Sequence, residues 1–180
     1  MKKAVIYRSR NGSTRRYAEW LAQECGADLF DLGQAQDPDL APYEAVIYGA
    51  PFHMGHLYGA RYIRDRWAVL QRKRVFIFST SAVPPTHALA AAIYRRSLPE
   101  PIRRQVRYFP VRGQYFRGKL GRLDYAKTIL ARLIGVYDII VHHDSLLFLG
   151  IATDQPLSHH HDLSALIKEI RDEEKATPWV

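Results

Sequence analysis

Short apolar runs alternate along this chain with amphipathic stretches, and no other feature limits its fold so tightly. Residues 3–7, 45–49 and 74–79 are dominated by apolar side chains, the pattern of strands buried on both faces. Between and after them, apolar residues recur at helical spacing: Tyr17, Trp20, Leu21 and Cys25, then Tyr62, Ile63, Trp67 and Leu70. The same spacing returns at Leu123, Ala126, Leu130 and Leu133, and at Leu163, Leu166, Ile167 and Ile170. Residues 87–96 are rich in alanine and read as a further helix, closed by Pro99 and Pro101. Residues 27–32 and 105–113 read as the second and fifth strands, although Pro110 weakens the latter. Ala50-Pro51 is expected to stop the third strand, and Asp162 to cap the last helix. Strands alternating with helices predict an α/β fold, with a parallel sheet covered on both faces. No repeat or linker divides the 180 residues, so residues 1–180 are expected to form one domain. Ligands of such sheets bind beyond the carboxyl ends of the strands. The loops after Tyr7, Tyr48, Phe78 and Val111 are therefore where chemistry is expected.

Three of those loops have suitable residues. The first is Arg8-Ser9-Arg10-Asn11-Gly12-Ser13-Thr14, between a strand and a helix start. Gly12 permits a tight turn, three hydroxyls can donate hydrogen bonds, and the helix dipole favours an anion there. It suits a phosphate, yet it lacks the Gly-Lys-Ser/Thr of a Walker loop and the three glycines of a dinucleotide fingerprint. A polar turn and helix cap would use the same residue types. The second loop is Gly49-Ala50-Pro51-Phe52-His53-Met54-Gly55-His56. Its small residues admit a flat ligand, Phe52 and Tyr48 are stacking candidates, and His53 and His56 are candidate proton donors or solvated side chains. The third is Ser79-Thr80-Ser81-Ala82-Val83-Pro84, whose amides and hydroxyls suit the polar edge of a heterocycle or the start of a helix.

The net charge of +8 is concentrated. Residues 61–132 hold 17 Lys/Arg against 3 Asp/Glu, while the rest of the chain holds 9 against 15. That block suggests an anionic partner: nucleic acid, a membrane surface or an acidic small molecule. The single cysteine, Cys25, excludes an internal disulfide and fits a reducing, cytoplasmic setting. The first seven residues read as a strand rather than a signal peptide. The longest apolar run, residues 146–152, is far short of the roughly 18 residues a span requires, so any membrane contact is expected to be peripheral. His159-His160-His161-Asp162 and His142-His143-Asp144 lack the spacing of a ligand set, and no functional metal is expected.

The three loops, in this order, resemble the flavodoxin family. Its phosphate loop follows Thr/Ser-x-Thr/Asn-Gly-x-Thr, as Ser9-Arg10-Asn11-Gly12-Ser13-Thr14 does. The resemblance implies a flavodoxin-like three-layer sandwich with a five-stranded parallel sheet in order 2-1-3-4-5. It also implies FMN at the strand ends, flanked by Ala50, Pro51, Phe52, His53, Met54 and Gly55 and by Ser79, Thr80, Ser81, Ala82 and Val83. Within the family, Gly49-Ala50-x-x-x-x-Gly55-His56 resembles the branch of menaquinone-dependent protoporphyrinogen dehydrogenases, although Pro51 and His53 depart from its pattern. That branch ends strand five on a glycine, here Gly113, and continues with an aromatic and basic stretch, here Tyr115-Phe116-Arg117-Gly118-Lys119.

The resemblance implies an FMN-dependent oxidoreductase of haem biosynthesis that passes electrons from a porphyrinogen to a quinone. Candidate catalytic residues are His53, His56 and Tyr115, and Tyr115, Phe116, Arg117, Lys119 and Arg122 are expected to meet the substrate or a membrane surface. An aromatic among cations suits a flat molecule bearing carboxylates. The alternatives are a flavodoxin-type electron carrier between redox proteins, which the basic block disfavours, and a basic nucleic-acid-binding module, for which no recognition motif is present.

Overall fold

The computed structural model describes residues 1–10, 12–34, 37–81, 85–113 and 159–176. In chain order the elements are β1 (Lys3–Tyr7), α1 (Ser13–Cys25), β2 (Asp28–Asp31), β3 (Ala45–His53) and β4 (His56–Leu57). There follow α2 (Ala60–Asp65), α3 (Trp67–Leu70), β5 (Arg74–Ser81), α4 (Ala88–Ser97), α5 (Glu100–Arg103), β6 (Val106–Arg112) and α6 (His159–Lys175).

The sheet runs β2-β1-β3-β5-β6, with parallel pairing throughout. This is the expected order 2-1-3-4-5 once the added short strand β4 is set aside. Strand periodicity sends alternate residues to opposite faces. Ile6, Tyr48 and Ile77 pack toward Ile63, Leu70, Tyr94 and Ile102 of α2–α5. Val5, Ile47, Phe76 and Phe78 pack toward Tyr17 and Leu21 of α1 and Leu163, Leu166 and Ile170 of α6. Three layers result. The continuous apolar runs of β1 and β5 follow directly from burial on both faces.

Several expectations need correction. β3 does not stop at Ala50-Pro51 but continues to His53, where it turns back as β4. Pro51 is tolerated because it lies beyond the core of the strand and still uses its carbonyl, which accepts from the Tyr58 amide at 2.9 Å. The helical face at 62–70 is two short helices broken at Arg66, whose guanidinium stacks 4.3 Å over the Tyr62 ring and pairs with Asp37. Pro101 lies inside α5 instead of ending a helix, in the first turn, where no amide donor is lost. Asp162 is not an N-cap, because α6 begins at His159, and the three histidines lie in that helix rather than in a loop. The helix expected over 123–133 falls outside the described residues. Among the described residues no helix is long and apolar enough to cross a membrane.

Part of the basic excess ties α6 to the sheet. Arg74 reaches Glu173 at 3.3 Å, and Arg107 pairs with Glu169 and Glu173. Lys3, buried at the start of β1, donates to Glu174 at 2.6 Å. That hydrogen bond holds the Glu174 carboxyl below its ordinary range. The folded value is the lower one, so the tie stabilises above the ordinary carboxylate range near about pH 4 and is lost as pH falls through the depressed value. Glu174→Gln is expected to lose stability at neutral pH, and its deficit against wild type should shrink in acid. Urea midpoints measured across pH check this, and a deficit constant with pH would refute it.

Candidate cofactor site

The carboxyl ends of β1, β3, β5 and β6 lie at one end of the sheet. The first loop leaves β1 with the Arg8 amide donating to the Gly49 carbonyl at 2.9 Å, which anchors it to β3. Gly12 then takes φ +92°, in the left-handed region. A Cβ there would meet nothing within 4 Å, so glycine is required by the backbone and not by crowding. Its amide donates to Ser9 Oγ at 3.2 Å, and its carbonyl accepts the first turn's hydrogen bond from Arg16 at 3.0 Å. Gly12 brings no side chain to cap α1, and the first turn carries no acidic residue. The positive end of a thirteen-residue helix therefore meets open space beside a polar loop.

Ser13 and Thr14 are buried. Thr14 Oγ1 meets Thr80 Oγ1 at 2.7 Å, joining the start of α1 to the end of β5. Ser79 Oγ meets Tyr108 Oη at 2.7 Å, and Tyr108 stacks on Tyr94 with centroids 3.8 Å apart. Burial raises the Tyr108 hydroxyl well above its usual range. Ser81 accepts from the Gly113 amide at 2.7 Å through its backbone carbonyl, so the ends of β5 and β6 are tied together. The side chains of Ser79 and Thr80 are thus used inside the fold. What this strand end can offer a ligand is backbone.

The second loop is a hairpin. Gly49 lies against Phe78, its register partner on β5. Ala50 is buried, while Pro51, Phe52 and His53 are half-buried. Met54 and Gly55 have φ +49° and +73° between the paired His53 and His56. Two left-handed residues make the tight primed turn that fits strand twist. A left-handed methionine costs about 1 kcal/mol, and Met54 is also 70% exposed. Tyr48, expected as a stacking residue, is fully buried, and its hydroxyl donates to the Tyr58 carbonyl at 2.9 Å. It belongs to the core and cannot face a ligand.

Two of the loops meet through side chains. Arg10 Nη1 donates to the His53 ring, 3.0 Å from Nδ1. The His53 ring stands edge-on to Tyr58 at 5.8 Å, and Arg8 lies 5.6 Å from the Tyr58 centroid. His56 is exposed beside them. Arg8 and Tyr58 were not singled out from the sequence as site residues. The clue was Gly55: as the second residue of a two-residue turn it makes 56–57 a returning strand, which delivers Tyr58 to the end of β1. Asn11, Ala82, Val83, Tyr115, Phe116, Arg117, Lys119 and Arg122 lie outside the described residues.

A family model for the flavodoxin domain matches residues 4–134. The chain belongs to the flavodoxin family. FMN is the cofactor that membership assigns, and the residues present fit it. A phosphate dianion suits the open, uncapped start of α1 above Gly12, and a flat apolar ring suits the half-buried Pro51 and Phe52. A protoporphyrinogen IX dehydrogenase [quinone] of Escherichia coli strain K12 is 31% identical over 65 residues, covering 33% of this chain. The chain spans about a third, 36%, of the length of the curated relatives it matches. Among solved structures, a flavoprotein in complex with FMN from Lactobacillus acidophilus shows 17% identity and a TM-score of 0.46, covering 62% of this chain and 91% of that one. The Trp repressor binding protein of Bacillus subtilis shows 18% identity and a TM-score of 0.46, covering 72% and 96%.

Proposed function

We propose that this flavodoxin-family protein is an FMN-dependent oxidoreductase that takes electrons from a reduced small molecule of the porphyrinogen type and delivers them to a quinone. The observation that carries the cofactor half of this reading is the loop at Gly12, open toward solvent at the start of α1 and joined to the end of β5 through Thr14 and Thr80. The partial likeness to protoporphyrinogen IX dehydrogenase supports the substrate half.

FMN, when bound, supplies the two-electron chemistry, and the protein places it and tunes its environment. Ser9, Arg10, Asn11, Gly12, Ser13 and Thr14 hold the phosphate. Ala50 to Gly55 and Ser79 to Val83 flank the ring, with Gly113 closing the far side. Phe52 supplies an apolar wall that excludes water. In this reading His53, His56 and Tyr115 hold or move protons released by the donor, and Tyr115, Phe116, Arg117, Lys119 and Arg122 meet the substrate or an anionic membrane surface near the quinone.

The test is turnover. Holoprotein given protoporphyrinogen IX and a quinone is expected to produce the absorbance of protoporphyrin above the rate of autoxidation under anaerobic conditions. Absence of turnover, with rapid reduction by a redox protein, would instead identify an electron carrier.

A further inference from the structure

The two helix layers carry unlike charge. In the layer of α2–α5, residues 60–73 and 85–105 hold nine Lys/Arg against two Asp/Glu, and eight of the nine are arginines. In the opposite layer, α1 and α6 together hold five against seven. Some of the arginines are neutralised where they stand: Arg61 and Arg104 by Asp65 and Glu100, and Arg66 by Asp37. Arg64 and Arg103 donate to the backbone carbonyls of Ser97 and Leu98, neutral groups that leave the charge in place. Arg72, Arg95 and Arg96 are exposed, and among the described residues no carboxylate lies within ion-pair distance of them. A surface so one-sided in charge attracts an anionic partner. An exposed guanidinium presents a planar fork that matches two phosphate oxygens. Val69, between Arg66 and Arg72, is 45% exposed, and Trp67 beside it is half-buried. Arginines interleaved with exposed apolar side chains suit the headgroup level of a bilayer, where phosphates meet the cations and apolar atoms leave water. The cations are also spread over four helices instead of lining one groove, as contact with a broad surface requires. The β3–β4 hairpin belongs to this layer: Leu57 is buried with Ile63, Tyr94 and Leu98, and its amide donates to Ser97 Oγ at 2.7 Å.

We propose that the outer face of α2–α5 docks on an anionic membrane surface, with Arg72, Arg95 and Arg96 as its main phosphate contacts. The proposal goes beyond the oxidoreductase reading and does not need it. Where both hold, docking sets the hairpin of the cofactor site beside the lipid in which a quinone dissolves.

The test is sedimentation of the FMN-loaded protein with vesicles of phosphatidylcholine alone, and with vesicles of phosphatidylcholine and phosphatidylglycerol in equal parts. Binding to the anionic vesicles is expected to be at least about tenfold stronger, and to weaken steeply with salt. Arg95→Glu with Arg96→Glu should lower it at least about tenfold. Arg95→Gln with Arg96→Gln, which puts no new charge at the end of α4, should lower it less but in the same direction. Lys168→Glu with Lys175→Glu makes the same change in net charge on α6 as the Arg→Glu pair, and should lower binding no more than about twofold. FMN affinity and the thermal midpoint of the Gln pair should match wild type, which separates lost docking from lost folding. Equal binding to the two kinds of vesicle, or an equal loss from the α6 variant, overturns the docking face. So does binding to an RNA oligonucleotide without binding to vesicles, which would give the arginines to nucleic acid. Turnover with a water-soluble quinone separates the two readings: its failure strikes the oxidoreductase alone, and failure to bind vesicles strikes the docking face alone.

Discussion

Gly49→Ala is expected to lower stability by about 3 kcal/mol, the upper end of what overpacking a core costs. A Cβ at Gly49 would stand 2.1, 2.4 and 2.9 Å from three atoms of the Phe78 ring. Phe78 is fully buried among Val5, Tyr7, Ile47 and Leu163 in the layer under α1 and α6, so the ring cannot swing aside. Strain of this kind moves the strand ends, and the protein should lose FMN affinity along with its urea midpoint. Phe78→Ala removes the obstacle and leaves a cavity that costs about 3–5 kcal/mol by itself. The double variant should therefore be clearly more stable than the sum of the two single losses implies. Additive losses would show that the ring and the glycine do not meet.

Thr80→Val is the second change with a large expected effect. It leaves Thr14 Oγ1 buried without its 2.7 Å partner, and an orphaned buried hydroxyl costs about 1–3 kcal/mol. The loss falls at the joint between the start of α1, where the proposed phosphate site lies, and the end of β5, so FMN affinity should fall about tenfold as well. Replacing both threonines by valine removes both polar atoms and should recover most of the stability. FMN affinity should not recover to the same degree, because the loop has lost its hydrogen-bonded tie. If the double variant is less stable than either single one, the hydroxyls serve something other than each other.

The strands were legible in the sequence because strands buried on both faces must read as apolar runs, and β1, β3 and β5 do, while their order followed only from the family resemblance. The turn at the start of α1 was legible for a similar local reason: a left-handed turn ahead of a helix calls for glycine, and Gly12 supplies it. The hairpin was not. Primed turns usually announce themselves by Asn-Gly or Asp-Gly, and here Met54 takes the first left-handed position at a cost in strain. Pro51 then read as a stop, although a proline near a strand end loses only one amide donor. Contacts between distant residues were also hidden. Thr14 and Thr80 are 66 positions apart, and Arg10 and His53 are 43 apart. Only the sheet's register brings such pairs together. Tyr48 was misread for the opposite reason: an aromatic at a strand end suits a ligand wall and a core equally well, and burial alone distinguishes them.

The basic block now divides. Arg74 and Arg107 are bound to carboxylates of α6 and hold that helix to the sheet. Arg61 pairs within α2 with Asp65, and Arg104, the residue after α5, pairs with Glu100. Structural tasks thus absorb part of an excess that first suggested an anionic partner. Arg8 and Arg10, in the loop after β1, belong to the acid-leaning part of the chain, outside residues 61–132.

The account stands on a phosphate held at the start of α1, and one pair of titrations tests it most directly. FMN and riboflavin differ only in that phosphate. Flavin fluorescence should show FMN binding at least about a hundredfold more tightly than riboflavin, a difference of about 3 kcal/mol. Gly12→Val, which forces a branched side chain into the left-handed region at φ +92°, should bring the two affinities together by weakening FMN alone. Equal affinities in the wild-type protein, or a Gly12→Val variant that keeps its preference for FMN, would place the phosphate elsewhere and contradict the site described here.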